Sequence, residues 1–271
     1  TLSGVGCPEM GKLLTMQTSG NLDLAYRSYG SEYTDEVARP GYYSNHLKKY
    51  GVHCEVTSTM RTSIERYTFP SGQGNLLFNL GNGLTNEVGA TLRRVSSTEF
   101  EGMRLLGTFC YNQQAVFPMY FVVRVSKTPQ KSGYWKKQPE LKGAAKDWDV
   151  YSGKYKIYDK YGRDMAGNDI GYFMSFDLKE GEQVEVQVGV SFVSIANARE
   201  NLDAEQPTRD FARVERESHD VWAKTLGKIT VEGGTDEQRR VFYTALYHTQ
   251  IHPNILQDVN GEYPCMEGDE I

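Results

Sequence analysis

Two hydrophobic periods divide this chain. Between about residue 41 and residue 193, apolar side chains recur at every second position, the repeat of a β-strand. In "VHCEVTSTMRTSIERYTF", Val52 to Phe69, the apolar positions are mostly even: Val52, Cys54, Val56, Met60 and Ile64. His53, Glu55, Arg61 and Glu65 take the other face. "NLLFNLG" is a short continuous apolar run bounded by glycine, the mark of a strand covered on both sides. "MYFVVRVS" and "GYFMSFDL" follow, and "QVEVQVGVSFVS" sets Val184, Val186, Val188, Val190 and Phe192 on one face. The turn "DLKEGEQV" puts Gly181 where a hairpin needs positive φ. Half-amphipathic strands at this spacing predict a mainly β fold, a β-sandwich of two antiparallel sheets. Ser126 to Gly171 alternates weakly and is expected to form a long hairpin or an excursion from the sandwich.

After Asn197 the period becomes 3.6. Phe211, Val214, Val221, Trp222 and Leu226 fall near one helical stripe, with Thr208 as the expected N-cap. "KITVEGG" predicts a short strand, and Thr235 with Gln238 spells a capping box that opens a second helix through "VFYTALYHT". Pro253 is expected to end it. The expected organisation is a sandwich domain over 1–207, a linker helix and short strand over 208–234, and the start of a helical domain over 235–271. One helix cannot bury a core alone, so that last part is expected to pack on a domain outside these 271 residues.

Composition narrows the function. An apolar fraction of 39% with 24% charged residues is that of a folded globular protein. A net charge of −5 without a long Lys/Arg run argues against a nucleic-acid partner. No stretch approaches the length of a membrane span, and no signal-peptide pattern is present. The four cysteines form no C-x-x-C, so a zinc site is not expected and free thiols are, with Cys54 a small buried hydrophobe.

Four stretches could carry chemistry. "LSGVGC" has Gly4 and Gly6 before Cys7, a tight loop where backbone can approach a ligand, although a plain turn reads the same way. "LAYRSYGSEYTDEVARPGYY" mixes five tyrosines with Arg27, Glu32, Asp35 and Glu36; aromatic faces beside carboxylates suit a sugar, or a loop pinned by its rings. Asp147, Asp149, Asp159, Asp164 and Asp169 miss the calcium-loop spacing and read as solvated turns. His248 and His252 have the i, i+4 spacing of a helical metal pair, but Pro253 follows at once and a capping role fits better. Asp258, in "QDVNGEY", is a turn carboxylate before glycine that can accept hydrogen bonds from vicinal hydroxyls or from its own backbone.

"LSGVGC", "RPGYYS", "ERYTFP", "GKITVEGGT" and above all "FYTALYHTQIHPNILQDVNGEY" resemble glycoside hydrolase family 92, calcium-dependent exo-acting α-mannosidases, in the family's order along the whole chain. The resemblance implies a β-sandwich, a helical linker and the first helix of a truncated (α/α)6 barrel. It implies hydrolysis of terminal α-mannosides with inversion, with the α-1,2 linkage expected, in a secreted or periplasmic protein that degrades mannose-containing glycans. Ca2+ would bind the sugar's O2 and O3. The acid, the base and the calcium ligands would lie in the later barrel, so this chain alone is expected to be inactive. Gly4, Gly6, Cys7 and Asp258 match positions near the terminal mannose, with the missing C-terminal helical domain as their partner. The family often reads D-x-D-G and then a basic residue; this chain departs from that at Asn260 and Glu262. Two other readings fit part of the pattern: a stand-alone non-catalytic carbohydrate-binding module, and a purely structural sandwich.

Overall fold

The computed structural model describes residues 13–83, 89–107, 116–143, 150–251, 254–265 and 271. Among them, fourteen antiparallel strands form two sheets, and three helices follow. The strands are β1 (Leu14–Ser19), β2 (Tyr33–Arg39), β3 (Tyr42–Leu47), β4 (Val52–Ser58), β5 (Thr62–Phe69), β6 (Gly72–Asn79), β7 (Ala90–Arg94), β8 (Glu99–Leu106), β9 (Phe117–Val125), β10 (Lys131–Lys137), β11 (Tyr155–Tyr158), β12 (Met165–Gly167), β13 (Ile170–Leu178) and β14 (Glu182–Ser191). The helices are α1 (Ile195–Glu205), α2 (Phe211–Leu226) and α3 (Asp236–Thr249). One sheet runs β1-β6-β13-β10-β11, the other β12-β7-β8-β9-β14-β5-β4-β3-β2. The expected sandwich is what forms.

The core lies between the sheets. Val184, Val186 and Val188 of β14 meet Leu76 and Phe78 of β6 and Tyr172, Met174 and Phe176 of β13 there. β6 is covered on both faces, as its unbroken apolar run implies. Leu77 points outward beneath Leu24, Tyr29, Trp135 and Phe173, because residues 22–29 fold over the five-stranded sheet. Gly181 turns β13 into β14 at φ 73°. The Ser126–Gly171 excursion contributes the hairpin β10–β11 to one sheet and then crosses, as β12, to the edge of the other.

The outer face of the nine-stranded sheet carries the helices. Ala198 and Leu202 of α1 pack on Val122, and Phe211 and Val214 of α2 on Ile64. Gly189 permits the first contact: a Cβ there would sit 2.4 Å from the Ala198 carbonyl oxygen and 2.7 Å from Leu202 Cβ. Ion pairs then tie α1 to the sheet. Arg199 reaches both Glu99 and Glu101, while Arg124 pairs with Glu99 at 2.8 Å and with Asp203 at 2.5 Å.

Several expectations need correction. Residues 52–69 are two strands and not one run. The β4–β5 register sets Cys54 opposite Tyr67 and Thr57 opposite Ile64, so an even position in one strand faces an odd position in the next. Cys54 therefore faces the core while Ile64 faces α2. Met60 lies exposed in the turn. The "KITVEGG" segment is irregular, and among the described residues no strand pairs with it. α2 is capped by Asp210, whose carboxylate accepts from the Arg213 amide at 2.9 Å, and not by Thr208. Val221 is exposed, and the buried stripe of α2 is Phe211, Val214 and Ser218. The Thr235–Gln238 capping box forms as expected. Pro253 and His252 lie outside the described residues.

The inward parity of β5 also turns Glu65 towards the core, between Val56 and Val186. It keeps partial access to solvent, yet burial pushes its carboxyl above the ordinary range, against the hydrogen bond donated by the Tyr67 hydroxyl. Burial likewise raises the Cys54 thiol to about 12, fitting the small buried hydrophobe expected there. The unfolded chain ionises Glu65 near pH 4.5, before the folded chain does, so this residue's contribution is intact below that pH and is lost as pH rises through the folded pKa. Glu65→Gln is therefore expected to raise Tm more at pH 8 than at pH 4, where the carboxyl is largely protonated in both states. Melting curves at the two pH values check this; an equal shift at both would remove the titration as its cause.

Candidate functional site

α1 stands between the sheet and the loop that follows α3. Its stripe at Ala198 and Leu202 faces the sheet, and the neighbouring i, i+4 stripe at Asn197 and Asn201 faces the loop. Ser194 caps the helix: its hydroxyl oxygen accepts from the Asn197 amide at 3.0 Å and its O–H donates to Asn197 Oδ1 at 2.7 Å.

These side chains converge on Asp258, which is only 4% exposed. Asp258 Oδ2 accepts from the Ser191 hydroxyl at 2.6 Å and from Asn197 Nδ2 at 2.9 Å. Oδ1 accepts from Asn201 Nδ2 at 2.6 Å. Asn201, fully buried, also donates to the Val190 carbonyl at 2.8 Å, and its own oxygen accepts from the Val259 amide at 2.9 Å. Every polar atom of this node has a partner, which is what lets a carboxylate sit away from water.

The rest of the loop is fastened on both flanks. Arg61 Nε donates to the Gln257 carbonyl at 2.6 Å, while Arg61 Nη1 pairs with Glu205 of α1 at 2.8 Å. Asn260 Nδ2 donates to Glu200 at 3.1 Å, and Asn197 Nδ2 reaches Glu262 Oε2 at 2.7 Å. Inside the turn the Asp258 amide bonds the Glu262 carbonyl at 2.8 Å and the Gly261 amide bonds the Asp258 carbonyl at 3.0 Å. Gly261 makes the reversal at φ 93°, which a side chain would strain. The result is a rigid loop that exposes Asn260, Glu262 and Tyr263 above a buried polar base.

The other sequence candidates do not join it. Gly4, Gly6 and Cys7 lie outside the described residues, as do Asp147 and Asp149. The tyrosine-rich stretch is not one loop. Tyr33 lies on β2, and Tyr42 and Tyr43 on β3, at the edge of the larger sheet, which begins before residue 41 with a strand that buries almost nothing. Tyr29 is buried over the five-stranded sheet, where Asn79 donates to its hydroxyl at 2.9 Å and burial lifts its pKa to about 12. Tyr26, 47% exposed, lines a cleft of about 390 Å³ with Arg27, Asn82, Lys137, Tyr155 and Asp169. Asp159 is paired with Lys131 at 3.4 Å. His248 sits exposed in the last turn of α3. Among the described residues no group of three or more His, Cys, Asp or Glu side chains could hold a metal ion. Asp258 does not fit one either, since both its oxygens are already met by N–H or O–H donors. Sequence reasoning missed Asn197, Asn201 and Ser191; the usable signal was N-x-x-x-N within a helix, two poor helix formers on one stripe.

α3 is held by little. Its Tyr247 ring meets Trp222 of α2 at 4.7 Å and the Tyr243 hydroxyl donates to the Ile229 carbonyl at 3.2 Å. No residue of α3 is buried; Val241 is 64% exposed, and Phe242, Leu246 and Tyr247 are only half-buried. No described helix is long and apolar enough to cross a membrane.

Comparison with known proteins places this arrangement. The model of the glycosyl hydrolase family 92 N-terminal domain matches residues 1–191, and that of the family 92 catalytic domain matches residues 197–270. A search of curated proteins found no match. The family 92 α-mannosidase BT3965 from Bacteroides thetaiotaomicron superposes with a TM-score of 0.79 at 26% identity, over 94% of this chain and 34% of its own; it has also been solved with mannoimidazole. The family 92 glycosyl hydrolase ccman5 superposes at 0.77 with 23% identity, over 94% of this chain and 34% of its own. The inverting mannosidase BT2199 from Bacteroides thetaiotaomicron does so at 0.74 with 21% identity, over 93% and 32%; at these identities the last two attest the fold alone. The chain thus spans about a third of the length of these solved relatives. Two consecutive family models, joined across α1 by the Asp258 node, lead to one conclusion: this chain belongs to glycoside hydrolase family 92.

Proposed function

We propose that this chain is the N-terminal portion of an exo-acting, inverting α-mannosidase that removes terminal mannose, α-1,2-linked by preference, from glycans outside the cytoplasm. The observation that carries the reading is the Asp258 node. It fixes a loop from the catalytic-domain match onto the sandwich and α1, so the two parts share one preorganised surface. The half-covered apolar face of α3 is where the remainder of the helical domain would pack.

In this reading Gly4, Gly6 and Cys7, which lie outside the described residues, contribute to the mannose pocket. Asp258 serves the pocket through the loop it holds in place. The described residues do not fit calcium, so the Ca2+ of this enzyme would be held by the remainder of the helical domain, where it would polarise the sugar's hydroxyls. The test is mannose release by the full-length protein from α-1,2-linked mannobiose, with and without a calcium chelator. Release that chelation abolishes and calcium restores supports the reading. A full-length protein inert on all α-mannosides contradicts it.

A further inference from the structure

We propose that Glu262 is a specificity-determining residue, accepting a hydrogen bond from the sugar that leaves with the scissile oxygen; the proposal rests on the α-mannosidase reading above. Glu262 is exposed at the end of the turn, yet its carboxylate is not free to wander, because Asn197 Nδ2 holds Oε2 at 2.7 Å. Asn197 is itself buried, capped by Ser194 and tied to Asp258. No hydrogen bond or ion pair engages Oε1 among the described residues. The side chain therefore offers one oriented acceptor at almost no entropic cost on binding, the condition for a hydrogen bond that adds affinity.

Its level in the loop decides which part of a glycan it meets. In an exo-acting enzyme the terminal sugar sits at the closed end of the pocket and the rest of the glycan projects towards solvent. Asp258 forms the dry base of this loop, and Glu262, four residues on, stands at its solvent edge. A site that hydrogen-bonds a substrate hydroxyl discriminates strongly against a substrate lacking it. A plain structural role, in which Glu262 merely satisfies the second N–H of Asn197, would affect folding and leave substrate choice alone.

The experiment compares kcat/KM of the full-length protein on α-linked mannobiose and on p-nitrophenyl α-mannoside, which has no second sugar. For Glu262→Ala the mannobiose-to-aryl ratio is expected to fall ten-fold or more, chiefly through KM, and Glu262→Gln is expected to recover part of it. Unchanged Tm values separate this from misfolding. An unchanged ratio in Glu262→Ala overturns the proposal, whether both substrates slow together or neither does. A wild-type protein inert on both substrates has a different meaning: it removes the α-mannosidase reading and the proposal with it.

Discussion

Replacing Asp258 by alanine is expected to release the loop at residues 254–263 from α1 and to cut the kcat/KM of the full-length enzyme at least ten-fold. The carboxylate accepts three hydrogen bonds from the buried donors of Ser191, Asn197 and Asn201. Removing it strands the Ser191 O–H and one N–H each of Asn197 and Asn201, whose second N–H groups keep Glu262 and the Val190 carbonyl, at about 1–3 kcal/mol for a buried donor left unpaired. Ten-fold in rate needs only about 1.4 kcal/mol of it to be felt by the bound substrate. In the chain itself the readout is hydrogen exchange at the Val259 amide, bonded to Asn201 Oδ1 at 2.9 Å, which should lose its protection in the variant. Asp258→Asn should fail nearly as badly, because its amide would face three donors with only one acceptor atom. Unaltered exchange at Val259 together with wild-type kinetics would show that the node holds nothing of consequence.

The sandwich was legible because burial imposes period two. β14 keeps its valines at even positions for its whole length, and β6 advertises double coverage by its unbroken run. The misreadings have local causes. Alternation read across the β4–β5 turn assumed that parity survives a hairpin, and it put Glu65 and Ile64 on the wrong faces. β2 was hidden because an edge strand buries little: all but Thr34 of its seven residues are exposed, and Asp35 sits in a bulge at φ 54°. α1 was hidden for the opposite reason. Its buried faces are partly polar, Asn197 and Asn201 among them, so its hydrophobic pattern is faint. That helix builds the site. Asp258 could be singled out in its turn, but its partners lie 57 to 67 residues earlier in the chain, a distance that no local pattern spans.

The second large effect concerns the chain on its own, which is expected to release no mannose from any α-mannoside. Inversion needs an acid and a base on opposite sides of the glycosidic bond, about 6.5–9.5 Å apart with water between them. Asp258 and Glu262 are bonded to one and the same amide of Asn197, so they lie on one side of any sugar this loop could meet. Their geometry supports binding and cannot supply both roles. The full-length protein, with a complete helical domain, is expected to turn over readily, and the difference between the two is all or none.

Proton NMR of the first-formed sugar separates inversion from retention and the full-length protein from the chain alone. Full-length protein and isolated chain are each mixed with p-nitrophenyl α-mannoside, and the anomeric signals are followed before mutarotation sets in. β-Mannose is expected first from the full-length protein and no mannose from the chain; α-mannose appearing first, or any turnover by the chain alone, would contradict the inverting α-mannosidase reading.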